Sequence, residues 1–203
     1  MTDNAPNPGA PGRLTKAALA LLVAGSVAVV PIVKKLEGRY YQTNYDIAGI
    51  LQYCDGETLG AVPGRTYTDK ECDAMTKKRV LQFAQGVASG LQYPISQKTF
   101  TALTIFSYNT GGGALQDSTA MRLINAGQVT QGCEALMLFV CYSVPAGKGD
   151  RVTVKYAPST SHRLQEFNCV LTRHDKKFSK GLANRRDFER DMCLAGAQKN
   201  DSP

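Results

Sequence analysis

Two acids stand close together near the start of this chain. Glu37 follows an uncharged run, residues 17–33 (AALALLVAGSVAVVPIV), and the pair Lys34-Lys35. Asp46 lies nine residues further on, in Tyr45-Asp46-Ile47-Ala48-Gly49-Ile50. One acid at the end of an expected helix and one in a Gly-marked strand turn can face each other across a cleft. Glycoside hydrolysis calls for such a pair: one acid protonates the leaving oxygen, and the other manages water or the sugar cation. Each acid also has a plainer reading. Glu37 can be a solvated helix-end glutamate, and Asp46 a turn aspartate bonding its own backbone.

The elements that must position them are legible in outline. Residues 1–12 are rich in Pro, Gly and Asn and are expected to be a disordered tail. The uncharged run of seventeen residues is shorter than the ~20 of a comfortable membrane span. It is Ala-rich, carries Gly25 and Ser26 at its middle, and is expected to bend at Pro31. Three readings compete: a cleaved signal peptide, a permanent anchor, or a segment that enters the membrane and later leaves. Tyr45 to Thr66 reads as a small β-hairpin lobe. Thr68-Asp69-Lys70-Glu71 is a capping box opening a helix, with Cys72, Met75, Val80, Phe83 and Val87 as its core stripe. Ser96 opens a second helix through Phe100, Leu103 and Phe106. Ser118 caps a short third one that ends at Asn125-Ala126-Gly127. Cys133 to Tyr142 is apolar nearly all round and is expected to be a central helix. Residues 146–179 break the helical pattern. There Val152, Val154 and Tyr156 alternate with Arg151, Thr153 and Lys155 as in an exposed strand.

The net charge of +7 implies an anionic partner. No zinc-finger spacing or aromatic RNA-binding segment points to nucleic acid, so no nucleic-acid partner is expected. His162 and His174 are the only histidines, and neither has a second clear ligand beside it, so no metal is expected. With GxSxG, P-loop and dinucleotide motifs absent as well, a zinc amidase or a serine peptidase is disfavoured. Six cysteines, Cys54, Cys72, Cys133, Cys141, Cys169 and Cys193, suit an oxidising compartment. Six cysteines allow 15 pairings, which spacing alone leaves open.

The stretch from Glu37 to Thr58 resembles the catalytic region of the phage-type lysozymes, glycoside hydrolase family 24. Their pattern is Glu, eight residues, Asp, five residues, Thr. Glu37 and Asp46 match it, and Gln52 stands where the family has Thr. The resemblance covers most of residues 37–145 and 180–194. It includes Gly181-Leu182-Ala183-Asn184-Arg185-Arg186, and residues 146–179 read as an inserted hairpin. It implies an α+β fold, mostly helical, with a small hairpin lobe facing a helical lobe across a cleft, plus an N-terminal hydrophobic helix.

The resemblance further implies roles. Glu37 is the general acid, with desolvation favouring its neutral form and a cation, Arg185 or Arg186, opposing that. Asp46 stabilises the transition state. Gln52 takes the place of the water-holding Thr, by hydrolysis or, as in lytic transglycosylases, by a reaction that traps the sugar cation internally. Asp55 or Glu57, two apart on a strand, could supply a substitute base. Ser107, Asn109, Ser118 and Thr119 match a segment lining the glycan cleft. No cofactor is implied. The pairing taken for the cysteines is Cys54–Cys72, Cys133–Cys193 and Cys141–Cys169. The first staples the hairpin to the next helix, the second joins two helices the family packs together, and the third ties the insertion.

The segment before Glu37 resembles the signal-arrest-release anchors of some phage endolysins. No cysteine precedes Cys54. The resemblance therefore points to release by refolding onto the enzyme rather than by thiol exchange. The organisation expected is a tail and anchor over 1–36, a catalytic domain over 37–196 and a flexible tail over 197–203. The implied protein is a monomeric endolysin, exported from the host cytoplasm, tethered to the inner membrane through residues 17–33, then periplasmic. Its partner is the peptidoglycan glycan strand. A non-catalytic wall- or membrane-binding protein with a decayed site is the remaining alternative.

Overall fold

A computed structural model describes residues 15–46, 49–170 and 175–197. The apolar run near the N-terminus is not one hydrophobic helix. It forms α1 (Lys16–Gly25), a 3₁₀ turn (Ser26–Val29) and α2 (Val30–Glu37). Pro31 falls in the first turn of α2, where its missing N–H costs no helical bond. Among the described residues no helix is long and apolar enough to cross a membrane. Part of the run instead packs into the interior. Leu22 joins the main core, while Val29, Val30 and Val33 pack with Val80 and Ile105.

The other helices start where their caps stand. Thr68 and Glu71 close the capping box of α3 (Asp69–Gly90), each side chain bonding the other's backbone N–H. Ser96 caps α4 (Gln97–Thr110) and Ser118 caps α6 (Thr119–Asn125), with the short α5 (Gly112–Gln116) between them. The central helix is α4, whose Phe100, Leu103 and Phe106 are fully buried. It packs against α3 and the C-terminal α8 (Lys180–Ala197). Gly196 makes that crossing close: a Cβ there would lie 2.6 Å from the Thr99 backbone N.

The expected central helix over 133–142 is corrected. The chain runs as α7 (Val129–Glu134) and a 3₁₀ turn (Ala135–Leu138), then turns to strand β3 (Cys141–Ser143). Leu138 is 67% exposed, so this stretch is not apolar against the core all round. Pairing of β3 with a later strand and the Cys141–Cys169 bridge draw its end away from helical geometry.

The hairpin lobe begins earlier than Tyr45. Strands β1 (Tyr40–Tyr45) and β2 (Leu51–Cys54) are antiparallel, with Asn44 opposite Gln52 and Tyr45 opposite Leu51. The returning chain bonds β1 from its other side, Tyr67 N to Tyr41 O at 2.7 Å. The insertion forms one small antiparallel pair within itself and a second with the strand before it. Strand β4 (Val154–Tyr156) lies against β5 (Gln165–Phe167), and β3 lies against β6 (Lys176–Phe178). Phe167, Phe178 and Tyr156 pack there with Val140 and Ala183 of α8. The result is α+β and mainly helical.

Three disulfides are present, Cys54–Cys72, Cys133–Cys193 and Cys141–Cys169, with Cα separations of 5.0, 5.5 and 5.9 Å. Ala197 is fully buried at the end of α8. The tails expected over 1–12 and beyond Ala197, and His174, lie outside the described residues.

Candidate active site

Helix α2 ends at Glu37 because Gly38 adopts φ +72°, a left-handed conformation that glycine takes without strain. The last carbonyls of a helix lack partners and form the negative end of its dipole. Arg185, in the first turns of α8, answers both features. Its Nη2 donates to Leu36 O at 2.8 Å and its Nη1 lies 2.6 Å from Glu37 Oε1. Both side chains are mostly buried. Arg186 does not share this task. Neighbours on a helix point about 100° apart, and Arg186 turns inward, fully buried. It pairs with Glu189 at 2.7 Å and stacks over Phe106.

Glu37 and Arg185 line a cavity of about 1090 Å³. That is ample for sugar-sized ligands, since pockets for small molecules run to about 300–1,000 Å³. Ile32 and Leu36 of α2 and Leu182 and Phe188 of α8 give it an apolar wall. Tyr142, Ser143, Ser159, Thr160 and Ser179 give it a hydroxyl-rich one. The second wall comes from in and around the insertion, and α8 holds it in place. Asn184 Oδ1 accepts from Tyr156 OH and Ser159 N, and the buried Asp187 Oδ2 accepts from Thr160 N and Ser161 N. No spacing in the sequence marked these residues.

Of the four residues matched to the cleft segment, Asn109 lines the cavity. The others serve the backbone or lie apart. Ser107 is buried, and its carbonyl accepts from Gly111 N at 2.9 Å. Ser118 Oγ accepts from Met121 N at 3.0 Å as an N-cap. Thr119 is exposed at the start of α6.

Asp46 and Gln52 sit on the hairpin, outside the residues that line this cavity. Asp46 closes the hairpin turn, its Oδ1 accepting from Ile50 N at 2.8 Å. Gln52 Nε2 donates to Asn44 Oδ1 across the strand pair at 3.0 Å.

Asp55 and Glu57 do not share a strand face. The chain turns through Cys54 and Gly56, both at positive φ, so that Glu57 folds back to pair with Tyr53. Each acid is buried and satisfied. Glu57 meets Arg79 at 2.7 Å, and its Oε1 accepts from Thr58 N and Leu59 N. Asp55 takes two bonds from Arg39, at 2.9 and 2.7 Å, and one from Thr76. Arg39 also reaches Asp69 and, at 2.8 Å, Asp73. The Asp55 bond foremost holds the Arg39 guanidinium charged, well above its ordinary range. Tyr108 OH donates to Asp55 O at 3.0 Å, and burial, with the Glu37 charge next, pushes that phenol up. Arg39 was not singled out from the sequence; its place two residues after Glu37 was the one local signal. Among the described residues no cluster of three or more His, Cys, Asp or Glu is placed to hold a metal ion.

Comparison with known proteins adds to this geometry. A family profile described as Phage lysozyme matches residues 34–155. The SAR-endolysin of Pseudomonas phage phiKMV is 33% identical over 181 residues, 89% of this chain and 91% of its own length. The SAR-endolysin of Bacteriophage PS119 is 29% identical over 193 residues, covering 91% and 96%. Among solved structures, the endolysin from Escherichia coli O157:H7 phage FAHEc1 superposes with a TM-score of 0.61 at 25% identity, covering 82% of this chain and 90% of its own. The active form of the P1 phage endolysin Lyz gives a TM-score of 0.61 at 19% identity, covering 91% and 96%, and shares the fold.

Proposed function

Since the chain belongs to the phage lysozyme family, we propose that it is an endolysin cleaving the β-1,4 bond between N-acetylmuramic acid and N-acetylglucosamine in bacterial peptidoglycan, lysing the host for phage release. The observation that carries this reading is Glu37, fixed at the end of α2 by Arg185 and opening on a sugar-sized cavity. Glu37 protonates the glycosidic oxygen. Asp46, on the hairpin turn, stabilises the developing positive charge and helps orient water. Gln52 stands at the position that holds the water in relatives. The reaction needs no cofactor, and the enzyme acts as a monomer.

The N-terminal run has two environments in this reading. Before release, residues 17–33 tether the exported protein to the inner membrane; afterwards they pack as α1, the 3₁₀ turn and α2, and the enzyme works in the periplasm. The relatives named SAR-endolysins and the burial of Val29, Val30 and Val33 support this course.

A second reading, a lytic transglycosylase on the same bond, is favoured by Gln52, whose amide is engaged with Asn44. Digestion of purified peptidoglycan by the oxidised protein, with mass spectrometry of the sugar ends, separates the two. Reducing N-acetylmuramic acid ends are expected, and anhydro ends would replace hydrolysis by transglycosylation. Glu37→Gln is expected to lower the rate by about 10²–10⁴-fold, the usual share of a general acid. Host lysis that survives this substitution sinks both enzymatic readings and leaves a non-catalytic wall- or membrane-binding protein.

A further inference from the structure

Gln52 and Asn44 face each other across the hairpin. They are cross-strand partners in the register of β1 and β2, and Gln52 Nε2 lies 3.0 Å from Asn44 Oδ1. Tyr53, the residue after Gln52, is buried against Tyr67, with Cys54 and Cys72 in the same cluster. Successive strand residues point to opposite faces, so the two amides stand on the face turned away from that cluster. Both are half-buried. The same hairpin abuts the acid. A Cβ on Gly56, just past the end of β2, would lie 3.8 Å from Glu37 Oε2. Asp46 follows Asn44 by two residues, the spacing of one strand face.

Each amide has an oxygen that accepts and a nitrogen that donates. Their mutual bond uses one of each. Gln52 Oε1 and Asn44 Nδ2 are left over, and neither bonds another group among the described residues. With both amides turned over, the bond would run from Asn44 to Gln52 and leave Gln52 Nε2 and Asn44 Oδ1. Either way the pair presents one acceptor and one donor side by side. A water molecule satisfies both at once, donating to the one and accepting from the other.

We propose that Asn44 is a further catalytic residue: with Gln52 it forms a two-amide clamp that holds the attacking water. The inference rests on the glycan-cleaving function above and, within it, decides for hydrolysis. The bond that withdraws one Gln52 atom from the cleft brings in an atom of Asn44. In the reaction, the oxygen of the held water bonds to the anomeric carbon of the muramic acid, and the bond from that carbon to the glycosidic oxygen breaks. The glycosidic oxygen takes the Glu37 proton, and the water's own proton passes to the Asp46 carboxylate. Without a held water, a hydroxyl of the same sugar closes on the anomeric carbon, gives its proton to the same carboxylate and leaves an anhydro end.

Digestion of peptidoglycan by the oxidised full chain, with mass spectrometry of the sugar ends, reads rate and partition together. The wild type is expected to give reducing ends. Asn44→Ala and Gln52→Ala should each lower the hydrolytic rate by about 10²-fold, the loss that misplacing a reacting group brings, and raise the share of anhydro ends. The double variant should lose no more than either single one, since both side chains act on one water. A threonine hydroxyl both donates and accepts, so Gln52→Thr should make hydrolysis indifferent to Asn44→Ala. A merely structural role for Asn44 would move neither the ratio of ends nor this rescue. Thermal denaturation shows whether each variant is folded; Asn44→Leu, close to asparagine in size, takes the place of Asn44→Ala if that one is not.

Wild-type rate and ends from Asn44→Ala, losses that multiply in the double variant, or a loss that Gln52→Thr leaves in place overturns the clamp. Anhydro ends from the wild type do so too. Peptidoglycan left intact by the wild type refutes the function proposed above and the clamp with it, whereas cleavage that ignores Asn44 refutes the clamp alone.

Discussion

At Glu37 the helix end works against a negative charge and Arg185 works for it. The same guanidinium satisfies the Leu36 carbonyl, so one side chain both orients the acid and finishes the helix. One turn further in, Arg186 and Glu189 form a fully buried pair. Burial is the larger influence on both: it pulls the Arg186 guanidinium down and pushes the Glu189 carboxyl up to about 7. In the unfolded chain a glutamate ionises near about 4.3. Between those values the folded protein keeps a proton that the unfolded chain has released. The contribution of Glu189 to stability is therefore full below about pH 4.3 and declines as the pH rises towards about 7. Glu189→Gln should flatten the pH dependence of the melting temperature across that window. An unchanged slope would mean that Glu189 ionises normally in the fold.

Among the elements, the hairpin is held to the helices by a knot of charge just past the acid. Arg39 joins the end of β2, through Asp55, to the first turns of α3, through Asp69 and Asp73, and Lys34 of α2 shares Asp73 at 2.8 Å. The hydrogen bond from Arg39 holds Asp69, and that from Lys34 holds Asp73, below the usual carboxylate range. Their contribution is thus present above about pH 4 and lost as the pH falls below it. Asp55 is the costly member, since it is fully buried. Arg39→Met would strand its charge, and the expected loss is about 3–5 kcal/mol in denaturant unfolding. A loss below about 1 kcal/mol, the range of an exposed pair, would show that the knot contributes as a surface ion pair does.

Across the whole molecule, each disulfide secures a different part: hairpin to α3, α7 to α8, and the insertion to β3. Cys133–Cys193 spans 60 residues and lies in the main core, where both side chains are fully buried. Closing a loop of that length restricts the unfolded chain by about 4 kcal/mol. The double substitution Cys133→Ser and Cys193→Ser should lower the unfolding free energy by about that amount or more, as two hydroxyls are then buried. Calorimetry in parallel with the oxidised wild type measures it; equal stabilities would mean that the bridge does not limit the unfolded chain.

Much of the fold was legible along the chain because its signals act within a few residues. The capping box at Thr68, the caps at Ser96 and Ser118, and the helix end at Glu37 are local hydrogen-bonding and backbone preferences. The stretch from Cys133 to Tyr142 misled for the converse reason: its apolar pattern is helical, but partners far along the chain draw its end into a strand. Tertiary structure alone decided which arginine meets Glu37, across 148 residues. It also decided that Asp55 and Glu57 are buried in ion pairs, and that the insertion supplies a hydroxyl-lined wall of the cavity. Periodicity and composition describe what a segment can bury. Which group lies opposite a given side chain depends on how distant segments pack, and no local pattern records that.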